Sequence, residues 1–454
     1  MGDRRRSIRI CVTTALVLIA ASNRAALAQN YSFDARDIAL GSVAGVGNLS
    51  TKMIEEQRPY RSIVLPFGLF QVFSNTDIYN PDSKAFDPIT AIENVSSPLH
   101  YIFNRHSGDA AQLAFVNDLR NATLSRDLTK YRGFAPANDL LGAGLEAPNW
   151  GATFKLTQDD RGGFHGVYVG AGPYFTLRDE STFDPALTNV WATGVNVPNA
   201  LLPITNEAEV QLALAITGGY RGRMAWPSGI GSGSDREGLY FAANYNYIRG
   251  FQYLFDDLAV RLRTDSAGLV TTTSNIVLDN RTATEGNGFS IDMGVGAVIN
   301  HWEFGFGAKG IANRINWREV EQQAFVLASV TNGGDFIDSP TFPAADMRVT
   351  VPVDVRGNAS YVTDRWSAAV GVGHGFGGGF FHGGYERRFN RLEARGGGRY
   401  TFGIWNPSGG VGYDFTPRVS IDVALFGTST NIERTRKAAL AVSIRFNHIK
   451  GPFA

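Results

Sequence analysis

Charged side chains recur at every second position in several long, otherwise apolar runs of this sequence. In the run 391–402, Arg391, Glu393, Arg395 and Arg399 alternate with small, aliphatic and aromatic residues. In a β-strand, a period of two places all of these charges on one face. Such a face cannot lie in a dry core. It can be a solvated outer face, or it can line a water-filled channel in which charged groups select among solutes.

Thirteen charged residues in such runs are predicted to line a channel. They are Glu209, Arg221, Arg223, Asp292, Glu303, Lys309, Arg348, Asp354, Arg356, Arg391, Glu393, Arg395 and Arg399. The alternative is that these charges only neutralise one another and hold a plugging segment in place. The Arg-rich strand at 391–399 favours anionic solutes, or an acidic plug, as the partner of these guanidinium groups.

Glycines form a second candidate feature. The run 373–378 reads Gly-His-Gly-Phe-Gly-Gly and fits the glycine spacing of a dinucleotide site, but no helix follows it to bind a phosphate. A kinked or closely packed strand is the more common explanation. We predict that Gly375, Gly377 and Gly378 interrupt a strand ladder, which would open the wall sideways or make room for a plug.

Neither metal nor catalytic chemistry is indicated. The seven His residues have no metal-ligand spacing, and no Gly-x-Ser-x-Gly motif is found. Asp77, Asn80 and Asp82 with Asp87 could contact calcium in an exposed loop, but their spacing is not that of a known calcium loop. We therefore predict no cofactor and no enzymatic activity, and keep an outer-membrane enzyme as a distant alternative.

The N-terminus indicates export. Arg residues at 4–6 and 9 precede an apolar run at 10–21, which is too short to span a bilayer of about 30 Å as a helix. Ala26-Leu27-Ala28 then gives the small-x-small pattern of a cleavage site, so residues 1–28 are predicted to be a signal peptide. A faint twin-arginine pattern at 5–6 is the alternative export signal.

Composition narrows the class further. The single cysteine, Cys11, lies in the predicted signal, so the exported chain would contain no disulfide and no thiolate site. The signal also holds five Arg and one Asp, so its removal takes the formal net charge from +0 to about −4, which disfavours nucleic acid as a partner. No later run approaches 18 apolar residues, which predicts that no transmembrane helix is present.

Sustained alternation from Trp150 to Phe446 predicts one β-domain over residues 61–446. The clearest strand, near 209–226, has about 17 residues, whereas strands of soluble sheets have about 5–6. Strands that cross a membrane and continue into loops reach such lengths. We count about 14 strands, or 16 if 251–279 forms a hairpin.

Three segments differ from the strands. Residues 29–60 combine small and charged residues and are predicted to be a plug-like segment inside a barrel. Residues 75–148 form a block too long for an ordinary loop. Helix signals at Asp87-Pro88 and over 110–119 predict a partly helical insertion that caps or plugs the barrel. Residues 447–454 are predicted to be a C-terminal tail.

Tryptophan positions favour a membrane barrel over a secreted soluble sandwich. Six of the seven Trp residues lie near predicted strand ends, where aromatic girdles contact the lipid headgroups. They are Trp150, Trp226, Trp302, Trp317, Trp366 and Trp405. We therefore predict an all-β fold, an antiparallel transmembrane β-barrel of the bacterial outer membrane, whose apolar face contacts lipid.

Two stretches resemble a known family. Asp34-Ala35-Arg36, followed by Leu40-Gly41 and the small residues 42–47, and the final strand 440–446, resemble the long-chain fatty-acid transporter family of outer-membrane barrels, taken broadly to include related porin-like barrels. The resemblance implies an N-terminal plug in a barrel of about 14 strands. The family's Asn-Pro-Ala motif is absent after the glycine run, since Asn80-Pro81-Asp82 comes later and lacks the Ala. The insertion at 75–148 is a further departure, so no fatty-acid-binding residue is carried over.

The predicted function is a channel or transporter for small or amphipathic solutes. The alternative is a non-transporting barrel that anchors or assembles surface structures, in which 75–148 would bind a surface or periplasmic protein. Both alternatives share the outer-membrane location and the contact of the barrel with lipid.

Overall fold

In the computed structural model, the chain is described over a defined set of residues. These are 26–27, 35–41, 49, 53–54, 60–66, 100–102, 111, 114–115, 118–119, 121–134, 139–146, 150–271, 275–327, 329–331, 337–375, 378–401, 404–428 and 437–450. No helix within these ranges is long and apolar enough to cross a membrane.

The described strands form one antiparallel sheet of 22 segments. In chain order they are β1 (Ala26–Leu27), β2 (Tyr60–Pro66), β3 (His100–Ile102), β4 (Asp139–Glu146), β5 (Trp150–Gln158), β6 (Phe164–Phe183), β7 (Leu201–Met224), β8 (Gly238–Arg263), β9 (Asn275–Ala283), β10 (Glu285–Ile299), β11 (Trp302–Arg318), β12 (Glu321–Leu327), β13 (Ile337–Asp338), β14 (Phe342–Pro343), β15 (Met347–Val349), β16 (Asp354–Val362), β17 (Trp366–Gly375), β18 (Gly378–Phe389), β19 (Leu392–Thr401), β20 (Ile404–Thr416), β21 (Val419–Thr428) and β22 (Lys437–Lys450). The helices are α1 (Ala35–Ala39), a 3-10 helix (Leu128–Tyr131) and α2 (Pro185–Thr193).

Most strands pair with their neighbours in the sequence, as in a meander. The ladders β6–β7–β8 and β16 through β22 are continuous. Segments β4 and β5 lie end to end along β6, β9 and β10 lie end to end along β8, and β22 pairs with both β2 and β3. Among the described residues, no pairing joins β2 or β3 to β4 or β5, so the number of strands around the barrel stays a prediction.

Burial in this sheet is the reverse of that in a soluble protein. In β7, the apolar Ile216 and Tyr220 are 49% and 40% exposed, whereas Thr217 and Arg221 are 1% and 2% exposed. Soluble proteins bury apolar side chains and leave charged ones in water. We call the face that carries Arg221 the inner face and the face that carries Ile216 the outer face.

The same reversal is found around the sheet. Exposed outer-face residues include Val167, Val169, Tyr245, Met293, Val295, Phe304, Phe306, Val370, Val372, Tyr385 and Val411. Buried inner-face residues include Asn244, Asn246, Asp292, Glu303, Lys309, Arg356, His382, Glu386, Arg395 and Asp422. An apolar exterior and a polar interior are the pattern of a transmembrane β-barrel. The predicted all-β antiparallel barrel is confirmed, and the soluble sandwich is the wrong alternative.

The two ends of the sheet differ. One end, the turn end, carries the short connections 159–163, 300–301 and 390–391 and the longer 225–237. The other, the loop end, carries 184–200 and the span 319–353, which includes β12 to β15. Strand lengths differ as well: β7 and β8 have 24 and 26 residues, whereas β17 and β19 have 10 each. We call β6 through β12 the tall wall and β16 through β22 the short wall.

The tall wall extends beyond a membrane. At about 3.4 Å per residue, β8 is roughly 90 Å long, whereas the apolar band of a membrane barrel is about 25 Å tall. The loop-end halves of β6, β7 and β8 therefore lie outside the bilayer, which explains why apolar residues there are covered by protein.

A cap covers this extension. Leu187 and Trp191 of α2 pack with Phe115 and with Leu202 and Ile204 of β7 in one buried apolar cluster. Along the uninterrupted strand β7, Leu202 and Ile204 share the even-numbered outer face with Ile216. The described residues of the cap, 111–134 and α2, thus cover the outer face above the membrane and not the channel interior.

Local signals explain why α2 forms. Asp184 accepts a hydrogen bond from the backbone N–H of Ala186 at 2.8 Å, and Pro185 occupies the first helical position. The helix ends at Gly194, whose φ of 74° suits glycine. Helical positions at 111, 114–115 and 118–119 lie in the predicted insertion 75–148, whereas the helix predicted at Asp87-Pro88 lies outside the described residues.

Several predicted boundaries differ from the structure. The predicted strand 347–359 is divided, because β15 ends at Val349 and β16 begins at Asp354. Strand β22 continues through Lys450, so a tail beginning at 447 is wrong by four residues. Within the predicted signal peptide only Ala26 and Leu27 are described, as β1 paired with β4, and cleavage stays a prediction.

Candidate functional site in the barrel interior

The N-terminal helix α1 lies against the inner face of the short wall. The hydroxyl of Ser408 in β20 donates to the carbonyl of Ala39 at 3.1 Å. The backbone N–H of Ala35 donates to the hydroxyl of Ser443 in β22 at 3.2 Å. These bonds join an early segment of the chain to its last strands, inside the barrel.

Glycines on three adjacent strands allow this close approach. A Cβ atom on Gly397 would lie 2.5 Å from the carbonyl carbon of Leu40, and one on Gly410 would lie 2.7 Å from the Cβ of Ala39. A Cβ atom on Gly384 would likewise meet the backbone of Leu40. A side chain at any of these positions would displace α1, so the glycines form its seat.

An ion-pair network fixes α1 to the wall. Arg36 donates from Nε and Nη2 to the two carboxylate oxygens of Glu386, at 2.8 and 3.1 Å. Glu386 also accepts from Nε of Arg395 at 2.8 Å. The fork-to-fork geometry of the Arg36 pair is the strong form of this interaction.

The network continues across the short wall. Arg395 also donates to Asp422 at 2.6 Å and to Glu393. Arg445 donates to Glu393 at 2.7 Å and to Asp422 at 3.1 Å. We call Arg36, Glu386, Glu393, Arg395, Asp422 and Arg445 the charge cluster.

The charge cluster contains three carboxylates and three guanidinium groups, and Arg388 adds a fourth guanidinium group that donates to Glu386 at 2.8 Å. The side chains of Glu386, Arg395 and Asp422 are fully buried. Breaking such a buried pair is strongly destabilising, because it leaves an uncompensated charge. For Glu393 and Arg395, this geometry favours the alternative that the predicted channel charges neutralise one another and hold an inner segment.

Later residues of the N-terminal segment contact the opposite wall. Leu49, Met53 and Ile54 pack with Phe164 of β6 and Tyr240 of β8 in a buried apolar cluster near the turn end. Residues 35–41, 49 and 53–54, which we call the inner segment, therefore contact both the short wall and the tall wall.

Most of the predicted channel residues lie on the inner face. Ten of the thirteen are buried there: Arg221, Arg223, Asp292, Glu303, Lys309, Asp354, Arg356, Glu393, Arg395 and Arg399. Glu209 is partly buried and accepts from Nε2 of Gln211 at 2.8 Å. Arg348 and Arg391 are exposed, and their assignment to the interior is wrong.

Two local features explain these corrections. Between β15 and β16, residues 350–353 form no strand, so the alternation changes phase: Val349 is buried and Arg348 points outward. Arg391 belongs to the turn between β18 and β19, where Asn390 has a φ of 54°. Strand β19 therefore begins at Leu392, one residue after Arg391.

The inner face of the tall wall is polar near the turn end. Arg221 donates to Asn244 at 2.7 Å and lies over the ring of Tyr168, with its guanidinium carbon 4.2 Å from the ring centre. Asn246 donates to Asp292 at 2.7 Å. These contacts join neighbouring strands and do not involve the inner segment.

Nearer the loop end, the same inner face becomes apolar and aromatic. Trp317 is fully buried, stacks on Tyr253 at 5.4 Å and donates its indole N–H to Gln211 at 3.1 Å. Its ring lies across Gly250 and Gly286 of the neighbouring strands. The girdle prediction is therefore wrong for Trp317, whereas Trp302 and Trp405 are 44% and 50% exposed.

The predicted strand-kink glycines lie at a hairpin. Gly375 ends β17, Gly378 begins β18, and the two are directly paired, so they occupy two strand ends and not the interior of one strand. Gly377 lies outside the described residues. A sideways opening at these glycines stays a prediction.

The sequence patterns do not mark Arg36, Glu386, Asp422 or Arg445 as site residues. Asp422 stands between Ile421 and Val423, a period-two signal that could have identified it. Glu386 follows a glycine-rich stretch in which the alternation is weak. Within the described ranges, no three His, Cys, Asp or Glu side chains are grouped closely enough to hold a metal ion, and residues 77–87 lie outside those ranges.

Comparison with solved structures finds membrane channels. The chain is similar to the toluene transporter TbuX of Ralstonia pickettii, with 12% identity, a TM-score of 0.30, and coverage of 69% of this chain and 86% of TbuX. The toluene transporter TodX of Pseudomonas putida gives 12% identity and a TM-score of 0.30, covering 73% of this chain and 94% of TodX.

A porin triple mutant from Rhodopseudomonas blastica gives 10% identity and a TM-score of 0.20, covering 62% of this chain and 99% of the porin. No family model and no curated protein matches the chain. These TM-scores are too low to support an assignment, and the fold class rests on the reversed burial of the sheet.

Proposed function

We propose that this protein is a channel of the bacterial outer membrane that passes small or amphipathic solutes, and that it has no catalytic activity. The reversed burial carries this proposal, because a sheet with a lipid-compatible exterior and a charged interior has its polar face where solutes would pass. The fatty-acid transporter resemblance implies the same kind of barrel, of about 14 strands.

The proposed orientation follows from the connections. Bacterial outer-membrane barrels have short turns on the periplasmic side and long loops outside. The turn end would then face the periplasm, and the cap formed by 111–134 and α2 would lie at the cell surface. A signal peptide at residues 1–28 would supply export.

In this proposal the inner segment acts as a plug that limits the flow of solute. The charge cluster and the glycine seat hold α1 against the short wall, and Leu49, Met53 and Ile54 hold the segment to the tall wall. A solute passes only when the segment is displaced or through the space beside it.

Single-channel recording in planar lipid bilayers tests the proposal with two neighbouring glycines. In Gly397→Val, the new side chain would meet the backbone of Leu40 and Gly41, whereas at Gly396 an added Cβ meets nothing within 4 Å. We expect small conductance for the wild type and Gly396→Val, and severalfold larger conductance for Gly397→Val. Heat-modifiable gel mobility checks that each variant is folded.

Two results would contradict the proposal. If none of the three proteins conducts, the channel is excluded. If the two variants have equal conductance, the plug is excluded. An absence of conductance would favour a barrel that anchors surface structures, in which residues 75–148 would bind a protein partner.

A further inference from the structure

A row of long polar side chains crosses the outer face of the tall wall. In order across β8, β10, β11 and β15, its members are direct cross-strand neighbours: Arg249, Asn287, Asn316 and Arg348. Arg249 is also paired with Leu214 of β7, which lies on the same even-numbered face of that strand as Ile216. Because direct neighbours across a ladder share a face, the whole row lies on the outer face.

Arg314 adds a third guanidinium group to this part of the outer face. It lies two residues from Asn316 along β11, toward the turn end, and its guanidinium carbon is 5.8 Å from the ring centre of Phe289. Its Nε has no hydrogen-bond partner among the described residues. We call Arg249, Arg314 and Arg348 the arginine patch.

Carboxylates do little to neutralise the arginine patch. Within the described ranges, neither Arg314 nor Arg348 forms an ion pair. Arg249 pairs with Glu285 at 3.7 Å, where the two side chains are 43% and 52% exposed, and so open a pair contributes little. Three exposed carboxylates near the row lie farther toward the loop end: Glu285, Glu319 and Asp346.

The arginine patch lies at the level of a lipid headgroup layer. At the turn end, the exposed Trp302 is paired with Ile299 of β10, whereas Arg314 is paired with Phe289. From 299 to 289, β10 rises about 34 Å along its own axis, which a strand tilt of about 40° reduces to about 26 Å across the membrane. The apolar band of a membrane barrel is about 25 Å tall. The patch therefore begins where the apolar band ends, and Tyr247, which is paired with Phe289 and 42% exposed, places an aromatic ring at this boundary.

We propose that the arginine patch binds the phosphate groups of a bisphosphorylated glycolipid in the outer leaflet of the membrane. Guanidinium groups bind phosphate through paired, charge-assisted hydrogen bonds. Arg249 and Arg348 are three strand spacings apart, about 14 Å, so they can contact different phosphates of one headgroup, with Arg314 on a strand between them. The acyl chains of the lipid would lie along the apolar outer face below the patch.

This surface goes beyond the proposed channel function, because it concerns the lipid around the barrel and not the solute inside it. It uses the proposed orientation, in which the loop end faces the cell surface. A lipid held at this site would also cover the outer face between the aromatic boundary and the cap.

Native mass spectrometry of the full chain in non-ionic detergent tests the patch. The probe is diphosphoryl lipid A, and monophosphoryl lipid A is the analogue with one phosphate fewer. We expect one tightly bound diphosphoryl lipid, with a Kd about tenfold lower than that of the monophosphoryl form. The double variant Arg314→Gln, Arg348→Gln should raise the Kd for the diphosphoryl lipid about tenfold or more.

Arg387→Gln is the matched control. Arg387 is an exposed arginine near the turn end of β18, and its guanidinium carbon is 5.1 Å from the ring centre of Phe389. It thus stacks on an aromatic ring as Arg314 does, but at the opposite end of the sheet. This variant should leave the Kd for diphosphoryl lipid A unchanged.

Four results would overturn the patch: no binding of diphosphoryl lipid A, equal Kd values for the two lipids, an equal loss of binding in the double variant and the control, or displacement of the lipid by an equal concentration of inorganic phosphate. The last would indicate a site for a free anion only. If the double variant does not fold by gel mobility, Arg348→Gln alone decides, since the proposal requires weaker binding there as well. Lipid binding in detergent does not depend on conductance, so failure of this proposal and failure of the channel function are distinguishable.

Discussion

The tall wall and the short wall fill the barrel interior in different ways. The tall wall uses its own large side chains, such as Trp317 stacked on Tyr253 and Arg221 placed over Tyr168. The short wall presents Gly384, Gly397 and Gly410 and admits a separate segment of the chain. The size of inner-face side chains thus decides where the interior has room for an inner segment.

The two walls also differ in where their carboxylates find hydrogen-bond partners. In the tall wall, Asn246 and Asp292 bond between neighbouring strands. In the short wall, Glu386 bonds Arg36, which lies 350 positions away in the sequence. The short wall therefore contacts the N-terminal segment through buried ion pairs, whereas the tall wall contacts it through the apolar side chains Leu49, Met53 and Ile54.

The largest effect is expected from Glu386→Ala. This change leaves Arg36 and Arg395 without their shared carboxylate in a buried site, and should lower the free energy of unfolding by about 3–5 kcal/mol. Denaturant titration in detergent micelles measures it. Asp160→Asn, in an exposed turn, is the control, and a loss for Glu386→Ala no larger than that of this control would contradict the role of the charge cluster.

In the tall wall, Trp317→Ala should cost about 3 kcal/mol, because it removes a fully buried indole and leaves a cavity over Gly250 and Gly286. The same titration measures it. If the walls are independent, the losses of Trp317→Ala and Glu386→Ala should add to within about 0.5 kcal/mol in the double variant. A larger departure would mean that the walls are coupled.

A smaller loss is expected where the ladder between β11 and β16 is interrupted. The side chain of Asn313 donates to the carbonyl of Val351 at 2.7 Å and accepts from its N–H at 2.6 Å, in place of strand pairing. Asn313→Ala should lower the free energy of unfolding by about 1–3 kcal/mol. An unchanged unfolding midpoint would show that the two hydrogen bonds of Asn313 do not stabilise this interruption of the ladder.

The smallest effect on stability is expected at Glu237, in the connection 225–237 at the turn end of the tall wall. Burial alone would raise the pKa of Glu237, but bonds from the N–H groups of Ser232, Gly233 and Asn300 outweigh it and hold the pKa below its ordinary value. A carboxyl with a lowered folded-state pKa stabilises the fold at neutral pH, and this contribution is lost as the pH falls below about 4.3.

Glu237→Gln should therefore lose less stability than the wild type when the pH is lowered from 7 to 3. Thermal unfolding in detergent at both pH values measures the difference. Equal losses in the two proteins would show that Glu237 does not contribute to the acid sensitivity of this loop.

Much of the barrel wall can be predicted from sequence because each strand has one face in lipid. The alternation of the apolar Ile216 with the polar Thr217 directly indicates which face contacts lipid. The pairing of Arg36 with Glu386 is different, since a single sequence holds no information on contacts 350 positions apart. The position of α1 likewise depends on one glycine in each of three strands. None of these glycines is distinguished in the sequence from the other glycines of its strand.

Other misses have physical causes in the strands themselves. Trp317 lies near the end of β11 and so suggests a girdle, but the tall wall continues past the membrane, and the end of a strand there is not the edge of the bilayer. The run of alternating residues around Arg348 looks continuous and so predicts an inward side chain, whereas the strand break at 350–353 reverses the direction of Arg348.

Site-directed spin labelling tests the reversed burial most directly. With Cys11 replaced by Ser, single cysteines at Ile216 and Thr217 carry a nitroxide in lipid vesicles, and relaxation is measured with oxygen, which concentrates in lipid, and with a water-soluble nickel complex. A transmembrane barrel predicts high oxygen accessibility at 216 and low oxygen accessibility at 217. Equal values, or a nickel-accessible nitroxide at 216 with a lipid-accessible one at 217, would contradict the assigned faces and the channel proposed from them.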